Sequence, residues 1–171
     1  MKINDPKFSD FLRQKELRRE DDRIYFIDSQ DRKLYEQELS SPINRLKTFL
    51  KKWPPFYYFL LYFASTIFFG GLSVKKAIKK VFPDDDLTNK LVINIGSGPR
   101  RYDEEIINLD VYPFKNVDII ADGADLPFKD EAVDTIIIES LLEHLPNPSP
   151  VIQEIKRVLK KGGYVYGLTP F

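Results

Sequence analysis

The 171-residue chain has no cysteine and a single histidine, His144. The first absence excludes a disulfide framework, thiolate zinc sites and thiol nucleophiles, and it suits a reducing compartment. The second excludes any metal site built on several imidazoles. An export signal is also lacking, because Met1-Lys-Ile-Asn-Asp-Pro-Lys7 is polar and has no apolar core. No lipidation motif is visible, so a cytoplasmic address is expected. G-x-S-x-G, the turn that carries a hydrolase serine, does not occur. Nor is there an excess of either charge, since 26 Lys and Arg balance 26 Asp and Glu. The balance is local as well as global only in part: residues 1–90 hold 18 basic against 13 acidic residues, and 91–171 hold 8 against 13. A basic first half suits an anionic surface, although solvated surface charge is the plainer reading.

What is present divides the chain near residue 86. Residues 1–86 read as a mainly helical, aromatic-rich extension. Phe8, Phe11, Leu12 and Leu17 among charges predict a short amphipathic helix over 6–22, and Ile24-Tyr-Phe-Ile27 predicts an isolated strand. Ser41-Pro42 opens a predicted helix over 42–53, followed by Ile43, Leu46, Phe49, Leu50 and Trp53 at helical spacing. Trp53 to Val74 carries no charge and is flanked by lysine pairs. Its length allows a membrane span, but Pro54-Pro55, Gly70-Gly71 and three tyrosines make its hydropathy borderline. A lid packed on its own domain is the first expectation for 53–74, an interfacial helix the second and a span the third. A basic turn or two follows at 73–82, then Pro83 and Asp84-Asp-Asp86 as a boundary.

From 87 to 171 the rhythm becomes strand, turn, strand, with β-branched runs at 91–95, 106–110, 117–121, 133–138 and 163–169. Continuous apolar runs of this kind suit parallel strands covered on both faces. A helix beginning at Ser149-Pro150 carries Val151, Ile152, Ile155, Val158 and Leu159 on one stripe, with Gly162-Gly163 expected to end it. The fold class is therefore α/β, a Rossmann-like, mostly parallel sheet.

Parallel neighbouring strands bring their carboxyl ends to one edge, where ligands bind in open α/β sheets. Four segments meet there. Gly96-Ser97-Gly98 follows the first strand and offers backbone N–H groups and room for close approach. Asp110 ends the second strand, where a carboxylate accepts hydrogen bonds from ribose hydroxyls. Asp122-Gly123-Ala124 follows the third, in reach of an adenine ring. Glu139-Ser140 leaves the fourth and faces the centre of the site.

In that order the segments resemble the class I S-adenosylmethionine-dependent methyltransferases. The closest likeness is to the group with L-P-F, L-E-H-L-P and L-K-x-G-G patterns. They read here as Leu126-Pro-Phe128, Leu142-Glu-His-Leu-Pro146 and Leu159-Lys-Lys-Gly-Gly163. The resemblance covers about half the chain. It implies that Asn94, Gly96, Ser97, Gly98, Asp110, Val111, Asp122, Gly123, Ala124 and Glu139 hold S-adenosylmethionine. Glu139 and His144 are the candidates for acid–base work, and the plainer reading of His144 is a packed residue closing a short helix. The Glu-x-x-Glu-His group of related quinone methyltransferases has Ser140 in place of its first glutamate, so no metal is expected.

The departures are specific. Asn94 stands where the family often has an acid, and it lacks that residue's charge attraction for the methionine ammonium. Arg101 replaces the last glycine of G-x-G-x-x-G, which disfavours a nicotinamide dehydrogenase. Ten residues join the first two strands, fewer than a parallel crossover usually takes. The family's sheet has seven strands and this sequence reaches the fifth, so a truncated fold with an open edge, covered by a partner, is expected. A non-catalytic or degenerate cofactor-fold module, membrane-associated through 53–74, is the alternative. No motif marks the methyl acceptor; a small molecule, lipid or glycan is favoured over nucleic acid.

Overall fold

The computed structural model describes residues 2–14, 16–20, 22–27, 76, 79–80, 87 and 89–169. The elements predicted at 42–53, 53–74 and 73–82, and the boundary at 83–86, lie outside the described residues, apart from isolated helical positions at 76 and 79–80. No helix among the described residues is long and apolar enough to cross a membrane.

The strands are β1 (Arg18–Glu20), β2 (Arg23–Tyr25), β3 (Val92–Ile95), β4 (Ile106–Asp110), β5 (Ile119–Ile120), β6 (Val133–Glu139) and β7 (Leu159–Leu168). They form one seven-stranded sheet in the order β1-β2-β5-β4-β3-β6-β7. β1 and β2 pair antiparallel, and every other neighbouring pair is parallel. Set aside the hairpin, and the remaining strands follow the doubly wound order, which reverses between β3 and β6.

Alternation along each strand divides the core in two. Ile93, Ile95, Ile107, Leu109, Ile136 and Ile138 face one side, where Val151, Ile155 and Val158 of helix α1 (Ser149–Val158) cover them. Phe8 and Phe128 complete that layer, meeting edge to face with ring centroids 6.3 Å apart. Val92, Ile106 and Ile137 face the other side, against Leu87, Tyr102 and Tyr166. Each buried isoleucine contributes about 1.5–3 kcal/mol, which makes the central strands the stable part of the sheet.

Three local expectations are corrected. The predicted helix over 6–22 is a 3-10 turn at Pro6–Phe11 followed by a hairpin. Asp5 accepts from the Lys7 N–H at 2.9 Å and starts the turn. The strand read as isolated at 24–27 lies beside β5, with Ile24 opposite Ile119 and Tyr25 opposite Ile120. Burial of Ile24 and Tyr25 against the sheet outweighs the weak helical pattern before them. At the carboxyl end, α1 stops at Val158 rather than at the glycines, because Leu159 is already extended and pairs with Val133. Gly162 and Gly163 lie inside β7, where the register against β6 shifts, and the Gly162 φ of 77° suits that bulge. The oxygen at the start of α1 comes from Asn147, whose Oδ1 accepts from the Ser149 N–H at 3.1 Å.

The short crossovers contain no helix. Residues 96–105 and 111–118 pass from strand to parallel strand through turns alone. Ten extended residues reach about 33 Å, ample to run back beside a strand of four or five residues. A polar network holds these links down. Asn108 is fully buried opposite Asn94, accepts from its Nδ2 at 3.2 Å, and donates to the Arg100 and Asn116 carbonyls at 2.8 Å each. Asp118 accepts from the Asn108 N–H at 2.8 Å and from the Arg101 guanidinium at 2.6 Å.

Candidate functional site

β3 runs directly into a turn with two left-handed glycines, Gly96 at φ 67° and Gly98 at φ 57°. The two positions need glycine for different reasons. At Gly96 a Cβ would come within 2.9 Å of the Leu141 side chain, so the turn is wedged against the segment leaving β6. At Gly98 nothing lies within 4 Å of where a Cβ would stand, so the backbone faces open space. The Gly96 and Ser97 N–H groups bond the Leu109 carbonyl at 2.9 and 3.2 Å, which fastens the turn to β4.

Asp110 points into this turn. Its Oδ2 accepts from the Gly98 N–H at 2.8 Å and its Oδ1 from the Tyr112 N–H at 2.9 Å. The residue is only 8% exposed. Burial pushes its carboxyl above the ordinary value of 3.8, and the N–H groups of Tyr112, Gly98 and Val111 pull it back in part. Each carboxylate oxygen has a second lone pair, so the side chain retains acceptor capacity for a diol.

A cavity of about 170 Å³ opens at the end of β3 beside the end of β6. Asn94, Gly96, Ser97 and Gly98 line one wall, and Glu139 and Ser140 the other. Ser140 takes the left-handed conformation, φ 54°, uncommon for a residue with a side chain, and so turns the chain sharply out of β6. Its N–H donates to the Leu168 carbonyl at 2.8 Å, which ties that turn to β7. Two side chains outside the expected site residues, Arg100 and Tyr102, close the mouth. The Tyr102 hydroxyl donates to Glu139 Oε2, and Arg100 Nη1 lies 3.5 Å from the same oxygen. Burial, and then the Glu139 charge, push the nearby Tyr166 phenol upward.

The Asp122–Ala124 turn is not part of this cavity's wall. Asp122 Oδ1 accepts from the Ala124 N–H at 2.8 Å, and Gly123 sits over Ile95 and Val151, at the joint between β3 and α1. Val111 is half-buried directly after Asp110. His144 ends a 3-10 turn at Leu142–His144, is exposed, and does not line the cavity.

The Leu-Pro-Phe segment has a different role from its neighbours. Leu126 and Phe128 are fully buried, and residues 8–14 dock across them. Leu12 bridges to Phe128, and the Arg13 N–H donates to the Pro127 carbonyl at 2.7 Å. The Arg13 and Gln14 side chains both bond Asp125. Glu154 of α1 joins in, accepting from the Leu126 N–H at 2.8 Å and from Arg157. Hydrogen bonding to Arg157 holds the Glu154 carboxyl below its ordinary value, against some desolvation. The 3-10 turn and the residues just after it thus support the loop after β5, a role that local periodicity does not reveal.

A larger cavity, about 600 Å³, lies at the opposite rim, where β2, β4 and β5 begin. Several of its charged groups are engaged with the protein itself. Arg101 pairs with Asp118, Arg23 donates to the carbonyls of Pro113 and Lys115, and Asn4 donates to Asp22. Volume alone favours this cavity, whereas strand order, glycine conformation and the carboxylate all favour the smaller one, which we take as the site.

A doubly wound sheet with a glycine turn, an acid on the next strand and a crevice at the strand-order reversal is the arrangement in which open α/β sheets hold nucleotide-type ligands. Residues 101–167 match the family model described as a methyltransferase domain. The likeness of this segment is thus to a methyltransferase domain, set in a sheet of doubly wound strand order. One curated relative, the uncharacterized protein MJ1123 of Methanocaldococcus jannaschii, is 55% identical over 47 residues. That match takes in 28% of this chain and 23% of the relative. Among solved structures, a putative S-adenosylmethionine-dependent methyltransferase from Methanococcus maripaludis is 19% identical. The alignment covers 53% of this chain and 59% of that one, with a TM-score of 0.38. A putative methyltransferase from Bacillus halodurans is 21% identical, covering 53% and 49%, with a TM-score of 0.42.

Proposed function

We propose that this chain binds S-adenosylmethionine across the β3–β6 crevice and takes part in transfer of its methyl group to an acceptor. The observation that carries the reading is the Gly98 N–H bonded to Asp110, in the glycine turn that borders the β3–β6 crevice where strand order reverses. In this reading Gly96, Ser97 and Gly98 give the ligand backbone contact, and Asp110 accepts from its ribose hydroxyls. Val111 and the Asp122–Ala124 turn flank the base. Asn94, Glu139 and Ser140 surround the amino-acid end. Bound there, the sulfonium supplies an electrophilic methyl group.

The protein's contribution is to position that group and exclude water around it, for which orientation alone is worth effective molarities of about 10⁵ M or more. No side chain is assigned as general base. Glu139 is engaged by Tyr102, and His144 is exposed away from the cavity. The donor chemistry fits the ligand, but the cavity is smaller than the roughly 300–1,000 Å³ of ordinary cofactor sites. Arg100 must therefore swing off Glu139 as it enters. The same small volume favours the second reading, a cofactor-fold module without activity.

A small molecule, lipid or glycan is the proposed acceptor class, because residues 91–171, which carry the site, hold more acidic than basic residues and so do not attract nucleic acid. A cytoplasmic setting with peripheral membrane contact through 53–74 belongs to the same proposal. It is supported by the lack of cysteine and by the lysine pairs flanking that segment. So does a partner along β7, where Tyr164 and Val165 are both exposed on opposite faces. Thermal unfolding in the presence of S-adenosylhomocysteine tests the cofactor reading: the midpoint rises with ligand concentration if the site is competent. No rise, with the nicotinamide cofactors equally inert, supports the inactive module instead.

A further inference from the structure

The wall of the small cavity carries one carboxylate side chain, Glu139, and one cationic side chain, Arg100, and the two face each other. Across from Glu139 stands Asn94, a neutral amide whose Nδ2 is already given to Asn108. S-adenosylmethionine has a neutral nucleoside and a cationic end, where an ammonium and a sulfonium outweigh one carboxylate. Such an end needs a counter-charge when it leaves water. Asp110 lies at the β4 side of the glycine turn, spent on backbone N–H groups and placed for the ribose.

We propose that Glu139 is the counter-ion for the cationic amino-acid end of the cofactor, and that Arg100 is a place-holder on this carboxylate which the incoming ammonium displaces. The inference rests on the cofactor reading above and adds a residue-level assignment to it. Arg100 suits a displaceable role because its side chain is 65% exposed and its closest approach to Glu139 is 3.5 Å. A contact of that kind is screened by water and salt and is worth little. Tyr102 differs, since its hydroxyl hydrogen bond keeps the carboxylate in place whether or not Arg100 is present.

The test compares two neutral-nucleoside ligands on the full chain by calorimetry. S-adenosylhomocysteine carries the amino-acid end, and 5′-methylthioadenosine lacks it. Glu139→Gln keeps the shape and an acceptor for Tyr102, and should weaken S-adenosylhomocysteine at least tenfold while leaving methylthioadenosine within about twofold. Arg100→Ala, a change at an exposed side chain, should tighten S-adenosylhomocysteine a few-fold and leave methylthioadenosine unchanged. Equal losses for both ligands in Glu139→Gln, or no loss for either, overturn the assignment. A wild-type chain that binds neither ligand defeats the cofactor reading itself, and this proposal with it.

Discussion

The two flanks of β3 are built on different principles. Towards β6 and β7 the connection is a proper helix, α1, and Val151, Ile155 and Val158 seal it with apolar contact. Towards β4 and β5 there is no helix between the strands, and buried amides and an ion pair hold the turns. Apolar packing is graded and tolerant, because it scales with buried area. A polar network fails more abruptly, since removing one member leaves its partners buried and unpaired. The ligand-facing glycine turn is thus fixed to a rigid, amide-pinned flank on one side and to a repackable flank on the other.

Deleting the largest apolar group should give the largest loss. Phe128→Ala removes a fully buried ring that also holds Phe8, and should cost about 3–5 kcal/mol in urea unfolding. Asp118→Ala attacks the polar flank, stranding the Arg101 guanidinium and the Asn108 N–H, and should cost about 2–3 kcal/mol. It should also weaken S-adenosylhomocysteine binding, which Phe128→Ala should do far less per unit of lost stability. The opposite ranking of binding losses would reverse the contrast between the flanks. Smallest is Arg13→Ala, whose partner Asp125 is well exposed; a change of about 0.2–1 kcal/mol is expected.

pH separates the flanks again. Asp110 has a carboxyl raised by burial, so its ionisation costs folding energy that appears as pH rises from 3.8 through the raised value. Glu154 runs the other way. Its carboxyl is lowered by Arg157, so the stability it adds is present above 4.5 and is lost as pH falls through the lowered value. Ligand affinity should therefore fall on acidification before Glu154 protonates, at a pH above the ordinary aspartate range. An affinity that stays level down to 3.8 would contradict the raised Asp110 carboxyl.

Much of the parallel sheet was legible from residue pattern, because continuous β-branched runs report strands buried on both faces. Strand 106–110 was read to its ends, and the meeting of Gly96, Gly98 and Asp110 followed from their places after and at the end of adjacent strands. Non-local choices were not legible. Nothing near Arg23–Tyr25 says that it will lie beside β5, since that pairing joins residues far apart in sequence. Leu159 looked helical because its neighbours are, yet its pairing with Val133 pulls it into β7. Asn94 and Asn108 carried a signal that went unused: two amides at matching positions of consecutive strands in otherwise apolar runs. Arg101 was read only as a failed glycine, and its contacts with Asp118 and the Asn116 carbonyl give it a structural task.

The account stands on Asp110 serving the ribose at the glycine turn, and calorimetric titration of S-adenosylhomocysteine into wild type and Asp110→Ala measures it directly. Loss of charge-assisted hydrogen bonds worth about 1.5–3 kcal/mol predicts a drop in affinity of roughly tenfold or more in the variant. Equal affinity in the two proteins, with both still folded, would contradict it.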